Sequence, residues 1–148
     1  MMTRWMAMVA VVVVTAAACL SENPGYQQDP SWQAPAEAAK RPNPLAKKPQ
    51  LAGGGRKLFL RNCVECHGED GRGLERKHSA DLHLPVVQSQ SDGTLFWKIT
   101  NGNQGRGMPS FSQIPDLQRW QIVLYLRTFS STEPPGQTHE GEQHPDAK

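Results

Sequence analysis

Cys63, Cys66 and His67 stand in the order Cys-x-x-Cys-His within the stretch CVECHGEDGRG. Three chemistries use two thiols at that spacing. A zinc site takes them as one half of a tetrahedron. A dithiol redox centre cycles them between thiol and disulfide. A c-type haem site consumes both sulfurs in thioether links to the haem vinyl groups and gives the adjacent imidazole to the iron. The cysteine count separates these readings. The chain has 3 cysteines, and the third, Cys19, lies far upstream in an apolar stretch. A closed zinc site needs four ligands, usually two well-spaced pairs. His78 and His83 could be recruited, but their spacing is at the loose end of a finger pattern. A thioredoxin-like pair sits at a strand-to-helix turn, and no strand pattern precedes Cys63. The immediate His67 favours haem attachment, because a helical backbone there carries the ring under the iron.

Export supports that reading. The N-terminus reads MMTRWMAMVAVVVVTAAAC. Arg4 supplies a short positive region, Trp5 to Ala18 an apolar one, and Ala16-Ala17-Ala18 a small-residue cleavage site. The apolar run is shorter than the roughly 20 residues of a spanning helix. Residues 1–18 are therefore expected to be a signal peptide, and haem is attached covalently outside the cytoplasm. Cys19 follows directly. That order resembles the bacterial lipoprotein signal, in which the cysteine is lipidated and heads the mature chain; Ala16 departs from it, since Leu is usual there. An ordinary signal peptidase cutting at the same bond would leave a free thiol. The resemblance implies a domain facing the periplasm, anchored to the inner or outer membrane through Cys19.

The elements that must position these residues follow from composition. Residues 19–51 are rich in Pro, Gln and Ala with no sustained apolar period, and are expected to be a tether. The alternative is an N-terminal extension draped over the domain, with Trp32 docking somewhere on it. The polar residues 131–148, with His139 and His144, are expected to be disordered. One domain remains, over residues 52–130, marginal in size for a hydrophobic core alone. A large covalently held apolar cofactor would supply the missing interior. A single Cys-x-x-Cys-His and no internal repeat imply one haem. The formal net charge is +2, and no basic patch with interleaved aromatics recommends nucleic acid.

The fold class is all-α: three to four helices with long loops. A first helix starts near Gly53–Gly55 and runs through RKLFLRNCVECH, placing Phe59 and Cys63 on one face. GEDGRGLERKHSADLHLP carries Gly and Pro signals and is loop. SDGTLFWKITNG is a second helix, capped by Ser91 or Asp92 and closed by Gly102. PDLQRWQIVLYLRTF is the last, with Pro115 at its start and apolar residues from Leu117 to Phe129 around most of its circumference. Between the last two helices lies GNQGRGMPSF. Met108 sits there between Gly107 and Pro109, in a loop that flexible glycines could lay against the far face of a haem. A thioether is a soft neutral ligand suited to haem iron, and His/Met ligation raises the reduction potential. His78 and His83 are the competing distal ligands; both leave the attachment helix on the side of His67.

Three stretches, GRKLFLRNCVECHGEDGRG, DGTLFWKITNGNQGRGMPSF and RWQIVLYLRTF, together resemble the class I c-type cytochromes, and most closely the small bacterial monohaem forms. The resemblance covers about residues 53–130. It implies that Gly55 and Phe59 cross the last helix at Ile122 and Tyr125. It implies His67 and Met108 as axial ligands, with Cys63 and Cys66 binding the haem. It also implies a proline carbonyl fixing the proximal imidazole, for which Pro85 is the candidate. A haem with both axial positions filled passes electrons and has no open site for substrate. The expected function is a membrane-tethered one-electron carrier, not an enzyme, with redox proteins as donor and acceptor. The alternatives are a fixed haem subunit of a dehydrogenase or oxidase complex, and a gas sensor or peroxidase-like enzyme with a labile sixth ligand. A dihaem peroxidase would need a second Cys-x-x-Cys-His, which is absent.

Overall fold

Gly55 decides how the two longest helices meet. A Cβ built on it would lie 1.9 Å from the Gln121 carbonyl oxygen and 2.9 Å from Tyr125 Cβ. Any side chain at position 55 would therefore force apart α2 (Ala52–Asn62) and α6 (Asp116–Leu126). One turn later Phe59 is buried at the crossing, its ring edge-on to Tyr125 at 5.4 Å and to Phe129 at 6.0 Å between centroids. Ile122 and Val123 complete this centre. Burying Phe59 alone contributes about 1.5–3 kcal/mol.

The computed structural model describes residues 28–130. Among them the regular structure is helical, with no strand; Asn103 and Met108 form an isolated antiparallel bridge. Beside α2 and α6 the chain forms α1 (Ala36–Ala39), α3 (Val64–His67), α4 (Pro85–Gln88) and α5 (Asp92–Asn101). The expected three to four helices become six because α1, α3 and α4 are single turns, too short to show a period in the sequence. The expected first helix breaks at Cys63, whose backbone leaves helical geometry at φ −120°, so that α3 starts afresh. Ser91 caps α5 by accepting from Thr94 N at 3.1 Å. Pro115 stands just before α6, which ends at Leu126; Phe129 falls in the following 3₁₀ turn and Leu117 faces solvent. Arg127 ties three elements together, donating to Asp92 Oδ1 at 2.7 Å and to the Gln88 carbonyl at 2.7 Å.

The tether expected over residues 19–51 differs from what the structure shows from residue 28 onward. Leu45 and Asn43 are buried. Asn43 Nδ2 donates to the Trp120 carbonyl at 3.2 Å, and Ser91 Oγ donates to the Ala39 carbonyl at 2.6 Å. At Gly93 a Cβ would come within 2.1 Å of the Ala38 carbonyl oxygen, so the strap crosses α5 where α5 has no side chain. Composition alone argues that this stretch cannot form a core of its own. It does not need one: most of its backbone hydrogen bonds are local, while Leu45 is buried in the body and Asn43 and the Ala39 carbonyl find partners in Trp120 and Ser91. Residues 1–27 and 131–148, with the signal peptide, Cys19, His139 and His144, lie outside the described residues. No helix among the described residues is long and apolar enough to cross a membrane.

Candidate functional site

Cys63, Cys66, His67 and Met108 line one cavity of about 430 Å³, within the range of small-molecule and cofactor sites. Phe59, Leu95, Ile99 and Ile122 form much of its apolar wall. The break at Cys63 puts both thiols on this wall: Cys63 N donates to the Phe59 carbonyl, and Cys66 N and His67 N both donate to the Cys63 carbonyl. The two cysteines are not joined in a disulfide. Burial, with a smaller contribution from the neighbouring Cys66, pushes the Cys63 thiol up to about 12, opposite in direction to an activated thiolate. Among the described residues no group of three or more His, Cys, Asp or Glu side chains comes together as a metal site, so His78 and His83 do not join the cysteines.

The loop after the motif folds back under His67. Gly73, at φ 79°, passes so close to the strand of chain opposite that a Cβ would lie 2.3 Å from the Ser79 carbonyl oxygen. Gly73 N donates to the His67 carbonyl and Leu74 N to the Cys66 carbonyl. Ser79 Oγ donates to the Cys66 carbonyl. This turn delivers the Ala80 carbonyl to His67 Nδ1 at 3.1 Å. The expectation for Pro85 is thereby corrected: Pro85 opens α4, and the backbone carbonyl that orients the imidazole belongs to Ala80. The sequence hides this partner because any residue can supply a carbonyl. A carbonyl oxygen can only accept, so Nδ1 carries the proton and Nε2 keeps its lone pair. Burial holds the His67 pKa below its ordinary value, against the Ala80 contact that raises it, and so favours the neutral, ligating ring.

Met108 is positioned from a different direction. Gly102 ends α5 at φ 66°, and a Cβ there would lie 2.4 Å from the Pro109 carbonyl and 2.6 Å from the Met108 carbonyl oxygen. Only glycine lets the chain return this closely over the helix end. Asn103 and Met108 exchange both backbone hydrogen bonds, at 2.8 and 3.0 Å, and clamp the turn Gln104–Arg106 between them. Phe111 N then donates to the Ile99 carbonyl at 3.1 Å and returns the chain to the body.

The competing histidines fare differently. His83 is held outside the cavity lining, its ring stacked on Phe129 at 4.5 Å and its Nε2 against the Asp70 carbonyl at 2.8 Å. His78 stands exposed at the cavity edge with a left-handed backbone at φ 49°. Trp32, read from the sequence only as able to dock somewhere on the body, lines the cavity, and Lys98, which the sequence reading missed, lines it too. Lys98 is buried, with its ammonium 4.4 Å from the centre of the Trp32 ring. Burial lowers its pKa, and the nearby Asp29 carboxylate opposes that shift. Lys98 lies on an otherwise apolar helix face and Trp32 far upstream, so neither carries a local signal.

Residues 50–126 match the family described as cytochrome C oxidase, cbb3-type, subunit III. No curated protein and no solved structure matches. The match spans just over half of the chain and includes the whole Cys-x-x-Cys-His segment, the Met108 loop and α6. The chain belongs to this family of c-type cytochromes, haem-binding proteins of electron transfer.

Proposed function

We propose that this protein is a one-electron carrier with a single haem c, held covalently through Cys63 and Cys66 and axially by His67 and Met108. The observation that carries the reading is the convergence of these four side chains on one largely apolar cavity, with His67 Nε2 left free by the Ala80 contact. The residues present fit the group: a thiol pair two apart, an oriented neutral imidazole, a thioether, and apolar walls from three helices. When bound, the haem supplies a one-electron couple at its iron. The chain's own contribution is to orient. The Ala80 carbonyl fixes the tautomer and angle of His67, the close α2–α6 crossing at Gly55 holds these two helices together, and their buried Phe59 and Ile122 keep water from the wall they form.

The test is covalent attachment. Replacing either Cys63 or Cys66 with Ala should lower the fraction of haem that resists acid–acetone extraction. Freely extractable haem in the wild-type protein would sink the reading.

The carrier is further proposed to be periplasmic and tethered through lipidated Cys19, with redox proteins as donor and acceptor. The export-type N-terminus and the position of Cys19 support this. Mass spectrometry of the mature N-terminus decides it, and an unmodified Cys19 thiol would remove the anchor while leaving the cytochrome. A second reading is favoured by the family match, whose description is of an oxidase subunit: the domain is a fixed haem subunit of an oxidase complex. Co-purification of further subunits from a detergent extract would support it over a mobile carrier. Ready carbon monoxide binding by the reduced wild-type protein would instead favour a sensor or peroxidase-like role with a labile sixth position.

A further inference from the structure

The family match begins at residue 50, yet the loop that bears Met108 is held by residues about twenty positions upstream of that point. Trp32 Nε1 donates to the Gly102 carbonyl at 3.0 Å. Asn103 Nδ2 donates to Asp29 Oδ2 at 3.3 Å, and Asn103 is the residue that exchanges both backbone hydrogen bonds with Met108. Asp29 is itself fixed, its Oδ1 accepting from Ser31 N at 2.9 Å and Ser31 Oγ at 2.6 Å. The Trp32 ring also covers the Lys98 ammonium one turn before the loop begins. Two adjacent loop residues, Gly102 and Asn103, are therefore each tied to one side chain of a single short upstream segment. Neither tie belongs to the α2–α6 core.

We propose that Trp32 and Asp29 are positioning residues for Met108: they hold the loop 102–109 closed and so set how readily another ligand displaces the methionine. This rests on the reading of Met108 as the sixth ligand. An external ligand for ferric iron competes with Met108, and its apparent affinity is reduced by the fraction of molecules in which the loop is closed. Removing a strap contact raises the open fraction without touching the iron. Trp32→Phe keeps an aromatic ring beside Lys98 and removes the N–H with part of the ring surface. Asp29→Ala removes the weaker tie.

The experiment is imidazole titration of the oxidised holoprotein, with the weak red sulfur-to-iron band recorded alongside. Trp32→Phe should tighten imidazole about five- to tenfold, the effect of one net hydrogen bond, and weaken the red band. Asp29→Ala should tighten it about twofold, in keeping with a longer, partly solvated contact. It also serves as the test should Trp32→Phe not fold. The decisive arm is the same pair of substitutions in a Met108→Ala background, where the strap should no longer matter and imidazole affinity should be unchanged by either. If the strap variants match wild type while Met108→Ala opens the iron, the positioning role is overturned and the ligation stands. If they tighten imidazole equally in the Met108→Ala background, they act by widening the cavity, and the proposal is again overturned. If Met108→Ala itself leaves imidazole affinity unchanged, the ligation reading falls and this inference falls with it.

Discussion

The two walls that meet at the cavity are built by opposite strategies. On the His67 side, everything that orients the ring lies within the seventeen or so residues after Cys63: Gly73, Ser79 and Ala80 fold back on Cys66 and His67 through short-range hydrogen bonds. On the Met108 side, the closing contacts reach from Asp29 and Trp32, some seventy positions away in the chain. A local turn forms with little loss of loop-closure entropy, whereas a remote contact has to be made by a folded body. The His67 wall should therefore be the sturdier of the two, and the Met108 wall the one that opens first.

The largest effects should come from removing the groups themselves, and they should differ by wall. Replacing both Cys63 and Cys66 with Ala should abolish acid-resistant haem. The emptied chain should then lose most of its helical circular dichroism, because a core of this size is marginal alone. Met108→Ala should keep the haem. It should remove the red band, open the iron to carbon monoxide, and lower the potential by more than the roughly 60 mV that a tenfold change in relative stabilisation of the two oxidation states represents. His83→Ala should do none of these, since its ring is engaged with Phe129 and the Asp70 carbonyl. Bis-His ligation would be the better description if His83→Ala or His78→Ala opened the iron and Met108→Ala did not.

A matched pair of glycines sharpens the contrast at intermediate size. Gly73 and Gly102 both have positive φ, and at each an added Cβ would lie under 2.5 Å from backbone. Each Ala substitution should cost about 1–3 kcal/mol locally. Gly73→Ala should disturb the turn that brings Ala80 to His67, and so shift the potential and haem retention together. Gly102→Ala should leave haem content intact and instead tighten imidazole binding. Identical phenotypes for the two would mean that the walls are mechanically one unit.

Much of this site is legible in the amino-acid sequence, and the reasons lie in particular residues. Cys63, Cys66 and His67 combine rare side chains at fixed spacing, and Met108 sits between glycine and proline where a core methionine would not. The helix over residues 92–101 announces itself by its spacing and caps, and the one over residues 116–126 by Pro115 and a long apolar run. Three things are hidden. The Ala80 carbonyl has no side-chain signature. The single turns α1 and α4 are shorter than one hydrophobic repeat. The strap over residues 28–51 contributes one buried leucine, the scattered side chains of Trp32 and Leu51, and otherwise polar and backbone contacts, so no sustained apolar pattern marks it as part of the body. Each hidden feature works through backbone groups or through partners distant in the chain, which a reading of side-chain spacing cannot see.

The smallest effect tests whether the strap's two ends are separable. Asn43 anchors the downstream end: it is buried, its Nδ2 donates to the Trp120 carbonyl at 3.2 Å, and its Oδ1 accepts from Leu45 N at 2.9 Å. Truncation removes both hydrogen bonds; the Trp120 carbonyl lies within α6 and keeps its helical acceptor role, so the main loss is the partner of Leu45 N. Asn43→Ala should therefore cost about 1 kcal/mol, read as a fall of roughly 4–8 °C in Tm for a unit of this size. Its site is on α6, away from Gly102 and Asn103, so the red band and imidazole affinity should stay at wild-type values. Trp32→Phe should lower Tm by a similar amount and, unlike Asn43→Ala, should also produce a clear change at the iron. If Asn43→Ala loosens Met108 as much as Trp32→Phe does, the strap acts as one rigid piece, and the Met108 wall is held by the whole of residues 28–51 rather than by its first few.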